Sequence, residues 1–389
     1  MRLGVGARML LPLAAMLLAG CGGGAASSAP PASAAAPVAP ASSPAASSSG
    51  AAAAKPSAAA GSAAAKPSGA GASAGAASGQ TIAIKSGYTT TSATEVPFWV
   101  AQEGGYFVQN GLDVTISFVA SGAPILAAIE SGDLPVSQAG GQEIVNAEVN
   151  GSSAVLVGGF GHKPTNSIIC SPSITKPEDL KGKTIGVSGI GAISHVAGQL
   201  AVQKLGLQGQ VNFLATGGLP ETLASIKTGK VDCGMLSPPQ TFQAVQEQGL
   251  REVVDVSKLD VSTPNAMVAT TRAYAKDHGD IVDKYLRAMI QGVHRAYTDK
   301  PFTVQTIVKY AKITDPNLAS KTYDYFHDGQ IWDKDGAMPT AAIQTSLDVA
   351  AQTSPKAKDF KPDQMVDSTF VQKIDSSGFV DQVWGAKPS

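Results

Sequence analysis

The chain has 389 residues, enough for two domains and a sizeable core. Its 29 basic and 30 acidic side chains leave a formal net charge of −1, so composition supplies no basic surface for nucleic acid. Part of the Gly, Ala and Ser excess comes from one stretch near the amino terminus, and aromatic residues make up only 6%.

Arg2 and Arg8 open the chain, followed by the apolar run Met9–Ala19, too short to span a bilayer permanently. The run ends in Leu18-Ala19-Gly20-Cys21, which resembles the lipobox of bacterial lipoproteins. The resemblance implies a signal peptide over 1–21, cleavage before Cys21 and lipidation of that thiol. It places the protein outside the cytoplasm, anchored to the cell membrane, either in the periplasm or on the outer face of the plasma membrane. Residues 22–79 are almost entirely Ala, Ser, Gly and Pro, with Lys55 and Lys66 as the only charges. Such a segment cannot bury a core and reads as a disordered tether with a reach on the order of 40 Å.

The folded part begins at Thr81 with the strand Ile82–Lys85, and a Ser86-Gly87 loop follows. The hydroxyl run Thr89, Thr90, Thr91 lies on the first loop, and such groups fix a polar ligand. Pro97 near a start and Gly104-Gly105 at an end predict a helix from about Pro97 to Glu103, with Phe98 and Trp99 in the core. A second strand ends at Phe118, and Ser121-Gly122-Ala123 turns into a short helix. Leu134–Ser137 is read as a third strand, after which Gly140-Gly141-Gln142 opens another helix.

Ala101-Gln102-Glu103-Gly104-Gly105-Tyr106-Phe107 through Gly111-Leu112-Asp113-Val114 resembles a signature of the solute-binding proteins of ABC importers. The family is the nitrate, sulfonate, taurine and thiamine-pyrimidine-precursor group. Glu178-Asp179-Leu180-Lys181-Gly182-Lys183-Thr184-Ile185-Gly186-Val187 is similar to its second hallmark. The resemblance implies an α/β, two-lobed periplasmic-binding-protein fold (type II-like), with two lobes joined by a two-segment hinge. It also implies closure on a small-molecule solute, an organic solute or anion of the sulfonate, nitrate or pyrimidine-like class, and delivery to an ABC importer permease; no nucleic-acid partner is expected, and the chain is expected to be a monomer. No cofactor and no metal are called for, and there is no Cys/His spacing of a metal site.

Strands over Val155–Gly159 and Asn166–Cys170 lead into the second half. After the strand Thr184–Val187, Ser188, Gly191, Ala192 and Ser194 form a polar loop and helix start. Gly189, Gly191 and Ser194 approach a dinucleotide fingerprint, but the third Gly and the acidic residue for a ribose are missing. His195 reads as a packing or capping group. Phe213–Val231 repeats Phe118–Leu134, with Thr216-Gly217-Gly218 in the place of Ser121-Gly122. The strand Cys233–Leu236 ends in Ser237-Pro238, which starts a helix. Strands alternating with helices predict βαβ units and a parallel sheet in each half, and the loops beyond the strand ends face a ligand. Asn265–Thr271 returns to the first lobe, so lobe 1 spans 81–167 and 270–389 and lobe 2 spans 168–269. Helices follow over Asp280–Thr298 and near 301–311, 317–326 and 339–350, then an irregular tail from Thr353.

An exported chain meets oxidising conditions, so Cys170 and Cys233 can form a disulfide, and buried free thiols are equally compatible with their strand positions. The candidate ligand residues are thus Thr89, Thr90, Thr91, Ser121, Gly122, Ala123, Gly140, Gly141, Gln142, Ser188, Gly191, Ala192, Ser194, Gly217, Gly218, Ser237 and Pro238. They are rich in hydroxyls and poor in Arg and Lys, which favours a neutral or singly charged organic solute. No nucleophile–base pair stands out, so the chain reads as a binding protein rather than an enzyme. A sensory lipoprotein and an exported relative of a thiamine-pyrimidine enzyme are the alternatives.

Overall fold

The computed structural model describes residues 81–119 and 122–385. The signal peptide, Cys21, the tether and Ser121 lie outside the described residues.

The first half runs β1 (Ile82–Tyr88), α1 (Val96–Glu103), α2 (Tyr106–Gln109), β2 (Leu112–Phe118), α3 (Ala123–Glu130), β3 (Ser137–Ala139), α4 (Gly141–Val149) and β4 (Ala154–Gly161). The second half runs β5 (Ser167–Cys170), β6 (Thr184–Val187), α5 (Ile193–Lys204), β7 (Asn212–Ala215), α6 (Leu219–Lys227), β8 (Cys233–Leu236), α7 (Gln240–Gln248) and β9 (Arg251–Asp255). The chain then returns through β10 (Ala266–Thr271) into α8 (Arg272–Asp277), α9 (Gly279–Thr298), α10 (Lys300–Ala311), α11 (Pro316–Asp328), α12 (Thr340–Ala350), α13 (Thr369–Ser376) and α14 (Phe379–Trp384).

β1 pairs in parallel with β2, and β6 with both β7 and β8, as expected of βαβ units. The wholly parallel sheet expected in each half is not what forms. β10 lies antiparallel between β3 and β4, and β5 lies antiparallel between β8 and β9. Antiparallel neighbours need no helical crossover between them, and both β5 and β10 are entered from the segments that link the two halves.

Other boundaries also differ from expectation. Ser86-Gly87 is no loop: the register with β2 continues to Tyr88 opposite Phe118, so both residues are inside β1. Ser86 shares a 2.9 Å hydrogen bond with the buried Tyr285 hydroxyl, and Gly87 donates its N–H to Ser137 Oγ at 2.8 Å. The third strand begins at Ser137 rather than Leu134, because Pro135 has no N–H to give a ladder; its carbonyl accepts from Thr270 Oγ1 at 2.6 Å. The tail regains order at α13, where Val371 and Ile374, one helical turn apart, are buried.

α9 organises the first core. Its buried residues Ile281, Tyr285, Met289, Val293 and Ala296 recur every three or four positions and form one apolar stripe, with Leu286 beside it. α1 lies against it, with Phe98 and Trp99 fully buried. Gly292 permits the close approach, since a Cβ there would meet the Pro97 carbonyl oxygen at 2.4 Å. Trp332 is buried in the same core and donates its indole N–H to the Ala93 carbonyl at 2.8 Å. A separate core between β5–β9 and their helices holds Ile168, Ile185, Val187, Ala197 and Met235. There Cys170 and Cys233, facing partners on β5 and β8, are joined as a disulfide.

The paired crossings lie side by side. Thr263 N–H donates to the His162 carbonyl and Asn265 N–H to the Gly161 carbonyl, each at 2.9 Å. His162 Nδ1 also reaches Asp333 Oδ1 at 2.7 Å, and this carboxylate raises the imidazole pKa. None of the described helices is long and apolar enough to cross a membrane.

Candidate functional site

Residues following or ending β1, β2, β3, β6, β7 and β8 converge on one cavity of about 730 Å³. This is where α/β sheets place ligands, because side chains and helix N-termini meet beyond the strand ends. From the first half come Tyr88, Thr89, Thr90, Thr91, Phe118, Gly140 and Glu143. From the second come Ser188, Ser194, Gly217, Gly218 and Ser237. Nine of the sequence-derived candidates therefore meet in one wall: Thr89, Thr90, Thr91, Gly140, Ser188, Ser194, Gly217, Gly218 and Ser237.

The hydroxyls are held before any ligand arrives. Ser188 and Ser194 hydroxyls are 2.7 Å apart, and Ser194 Oγ also accepts the Ser188 N–H at 3.0 Å. Ser237 Oγ accepts from Asn166 Nδ2 at 3.0 Å and from Thr165 Oγ1 at 3.4 Å. Gln240 Nε2 on α7 donates to Thr91 Oγ1 at 3.3 Å, a contact between the two sides of the cavity. Gly217 adopts φ +105°, a conformation that L side chains rarely take, so the corner before α6 depends on glycine.

The remaining described candidates stand outside this wall, for identifiable reasons. Gly141 donates its N–H to the Pro264 carbonyl at 2.8 Å and faces that ring. Gln142 is buried and its amide bonds Asn146 Oδ1 and the Ser346 carbonyl. Gly191 accepts from Asn146 Nδ2 and donates to His195 Nδ1, so the loop bonds to protein rather than to the cavity. Burial lowers the His195 pKa, in keeping with its packing role. Ala192 is buried. The Pro238 carbonyl accepts from Ala93 N–H at 3.3 Å. Gly122 turns its N–H toward the Glu143 carboxyl, and Ala123 begins α3 behind it.

Several lining residues carried no signal as cleft groups. Thr165, Asn166 and Asn265 belong to the crossings, Gln240, Gln243 and Glu247 to α7, and Lys312 to Asp315 to the link between α10 and α11. A polar face on the helix after Ser237-Pro238 was the one available hint for the α7 group. Glu143 reads in the sequence as an ordinary acid in a first helical turn. In the structure it is only 7% exposed, and burial pushes its pKa up to about 7 against the pull of the Gly140 and Gly122 N–H groups. Glu95, buried behind Thr94, is pushed up to about 8 by burial and by the charge of Glu143. Among the described residues no three His, Cys, Asp or Glu groups converge as metal ligands.

The formylaminopyrimidine-binding protein of Halalkalibacterium halodurans is 23% identical over 206 residues, covering 52% of this chain and 62% of that protein. The chain thus spans less than two thirds of that relative. A putative ABC transporter periplasmic binding protein of Brachyspira hyodysenteriae is 22% identical over 245 residues, covering 57% of this chain and 69% of that protein. The alkanesulfonate-binding protein SsuA of Xanthomonas axonopodis pv. citri, solved with MOPS, superposes with a TM-score of 0.63 at 16% identity, covering 75% of this chain and all of that one. A desulfurization enzyme, DSZB, shares the fold at a TM-score of 0.54 and 14% identity, covering 76% of this chain and 99% of that one. The architecture is the two-lobed fold of periplasmic binding proteins. Residues 93–301 match the NMT1/THI5-like family along more than half of the sequence, and the chain belongs to that family.

Proposed function

We propose that this protein is an extracytoplasmic solute-binding protein that captures a small organic solute between its lobes and delivers it to an ABC importer permease. We take lobe 1 as residues 81–161 and 266–385 and lobe 2 as residues 167–258, with the segments around 162–166 and 259–265 as the hinge; the bounds differ from the expected 167/168 and 269/270 because β10 pairs with β3 and β4 and Ser167 pairs with β8 and β9. A lipid on Cys21 holds the chain at the membrane, residues 22–79 act as its tether, and the protein works as a monomer.

The observation that carries this reading is the cavity of about 730 Å³ lined by strand-end loops of both halves. That volume suits one small organic molecule. Its wall of hydroxyls and side-chain amides offers hydrogen bonds in several directions, which supports binding rather than turnover. Two relatives bear binding-protein names, which supports it further. Closure follows when the solute touches both lobes at once and so binds the closed state more tightly.

The test is calorimetric titration against sulfonates, nitrate, pyrimidines, aromatic acids and organic amines, with small-angle scattering on the same samples. Saturable binding of one solute with a decrease in radius of gyration is expected. Absence of both throughout the panel overturns the reading. Mass spectrometry of the mature amino terminus tests the anchor separately, and an unmodified cysteine removes it.

A further inference from the structure

Glu143 is an unusual group to find in the wall of a cleft. It is 7% exposed, and neither carboxyl oxygen completes a hydrogen bond among the described residues. An ionised carboxylate has room for about four donors, and burying it unpaired is costly. The neighbouring backbone makes space for it, because a Cβ on Gly140 would lie 2.3 Å from Glu143 Oε2. The Gly140 and Gly122 N–H groups approach this carboxyl, which leaves most of its acceptor capacity unspent.

The rest of the wall has the same electrostatic sign. Glu143, Glu221, Glu247 and Asp315 line the cavity, against Lys312 as the sole lysine or arginine among the described lining residues. Of these, Asp315 already accepts the Asn317 N–H at 2.9 Å as the cap of α11. Two aromatic rings complete the setting. Tyr88 and Phe118 both line the cavity, their centroids 5.7 Å apart and edge-on, and Phe118 remains 51% exposed. Aromatic faces attract cations through the ring quadrupole and cover hydrocarbon equally well. A buried acceptor that shares a cavity with the exposed Phe118 ring, where the lining carries excess negative charge, is the recognition chemistry of an organic cation.

Taking the interlobe cleft as the solute site, we infer that Glu143 is its specificity-determining residue. It receives the ammonium or amidinium head of an organic cation whose carbon framework lies against Tyr88 and Phe118. A sulfonate in the same position would face the carboxylate without an arginine to offset it.

The test uses the full chain and two variants, E143Q and F118A, titrated calorimetrically with butylammonium, acetamidinium, butanesulfonate and nitrate. E143Q keeps the shape of the side chain, and thermal melts report whether it folds. F118A alters a half-exposed ring and leaves Glu143 in place. Saturable binding of an organic cation, weakened tenfold or more in E143Q and several-fold in F118A, with no heat from the anions, supports the inference. Tight anion binding to the native chain, or cation binding unchanged in E143Q, overturns it while leaving the cleft as a solute site. If the cations do not bind and the wider solute panel yields a neutral or anionic ligand, the inference alone falls. If nothing in that panel binds, the cleft reading falls and takes the inference with it.

Discussion

The Asn146 side-chain amide donates to the Gly191 carbonyl at 3.3 Å, joining α4 to the loop that opens α5. Asn146 is set for this by Gln142, whose amide donates to Asn146 Oδ1 at 2.9 Å. The Gln240–Thr91 bond likewise joins the start of α7 to the loop after β1, so both bonds tie the first half to the second. A net hydrogen bond of this kind contributes about 1 kcal/mol. N146A is therefore expected to loosen the approach of the two sides. Its radius of gyration should rise in the absence of solute, and solute affinity should fall about fivefold. Scattering curves that superpose on those of the native chain would assign Asn146 no part in closure.

Burial keeps the Glu95 and Glu143 pKa values near 8 and 7, above their ordinary 4.5. Between about pH 4.5 and 8 the folded chain therefore holds protons that the unfolded chain has released. Stability from these groups is fully present below pH 4.5 and is lost as the pH rises through 7 and 8. Melting temperature is expected to fall across that window. E95Q removes one buried charge, so its slope should be shallower and its melting point at pH 8 several degrees higher. An E95Q slope identical to the native one would show that Glu95 ionises freely.

The disulfide between Cys170 and Cys233 ties strands that are 63 residues apart in sequence. Closing a loop of that length restricts the unfolded chain, which corresponds to about 2–4 kcal/mol of stability. C170A/C233A is expected to lose that amount in chemical denaturation. Solute affinity should change little, since neither residue lines the cavity. Thiol labelling of the denatured native chain without reductant checks the bond directly, and two reactive thiols would refute it.

Ser188 lies at the end of β6, with its hydroxyl directed to Ser194 at 2.7 Å inside the cavity wall. S188W places an indole in the solute space and should abolish binding, with loss of affinity beyond a hundredfold. The fold should survive, because the side chain grows into the cavity rather than the core. Normal titration of S188W would remove this corner from the site.

Much of this arrangement was legible in the residues alone. Periodicity and punctuation suffice where an element is stabilised by its own near neighbours. Asp280–Thr298 was read within a residue of α9, and Cys233–Leu236 coincides with β8. The glycines at 122 and 217–218 marked where helices begin, with Gly122 and Gly218 as the N-caps of α3 and α6, which is local chemistry of glycine at turns. Nine of the cavity-lining residues were among the sequence-derived candidates, including Ser188, Gly217 and Ser237 at strand ends.

What tertiary structure decided was pairing and aim. Ser86-Gly87 has the composition of a loop, yet pairing with β2 and the Tyr285 hydroxyl draws both residues into a strand. β5 and β10 became antiparallel because of where the chain re-enters each sheet, which no local pattern encodes. The bond between Cys170 and Cys233 depended on two distant strands becoming direct neighbours. Glu143 shows the same limit at the site. Its identity and its place in a first helical turn were plain in the sequence. Its unspent acceptors come with burial beside Gly140, and the aromatic rings of the same cavity are supplied by other elements. Local interactions define the elements, whereas the charge and shape of a cavity are sums over residues that only folding brings together.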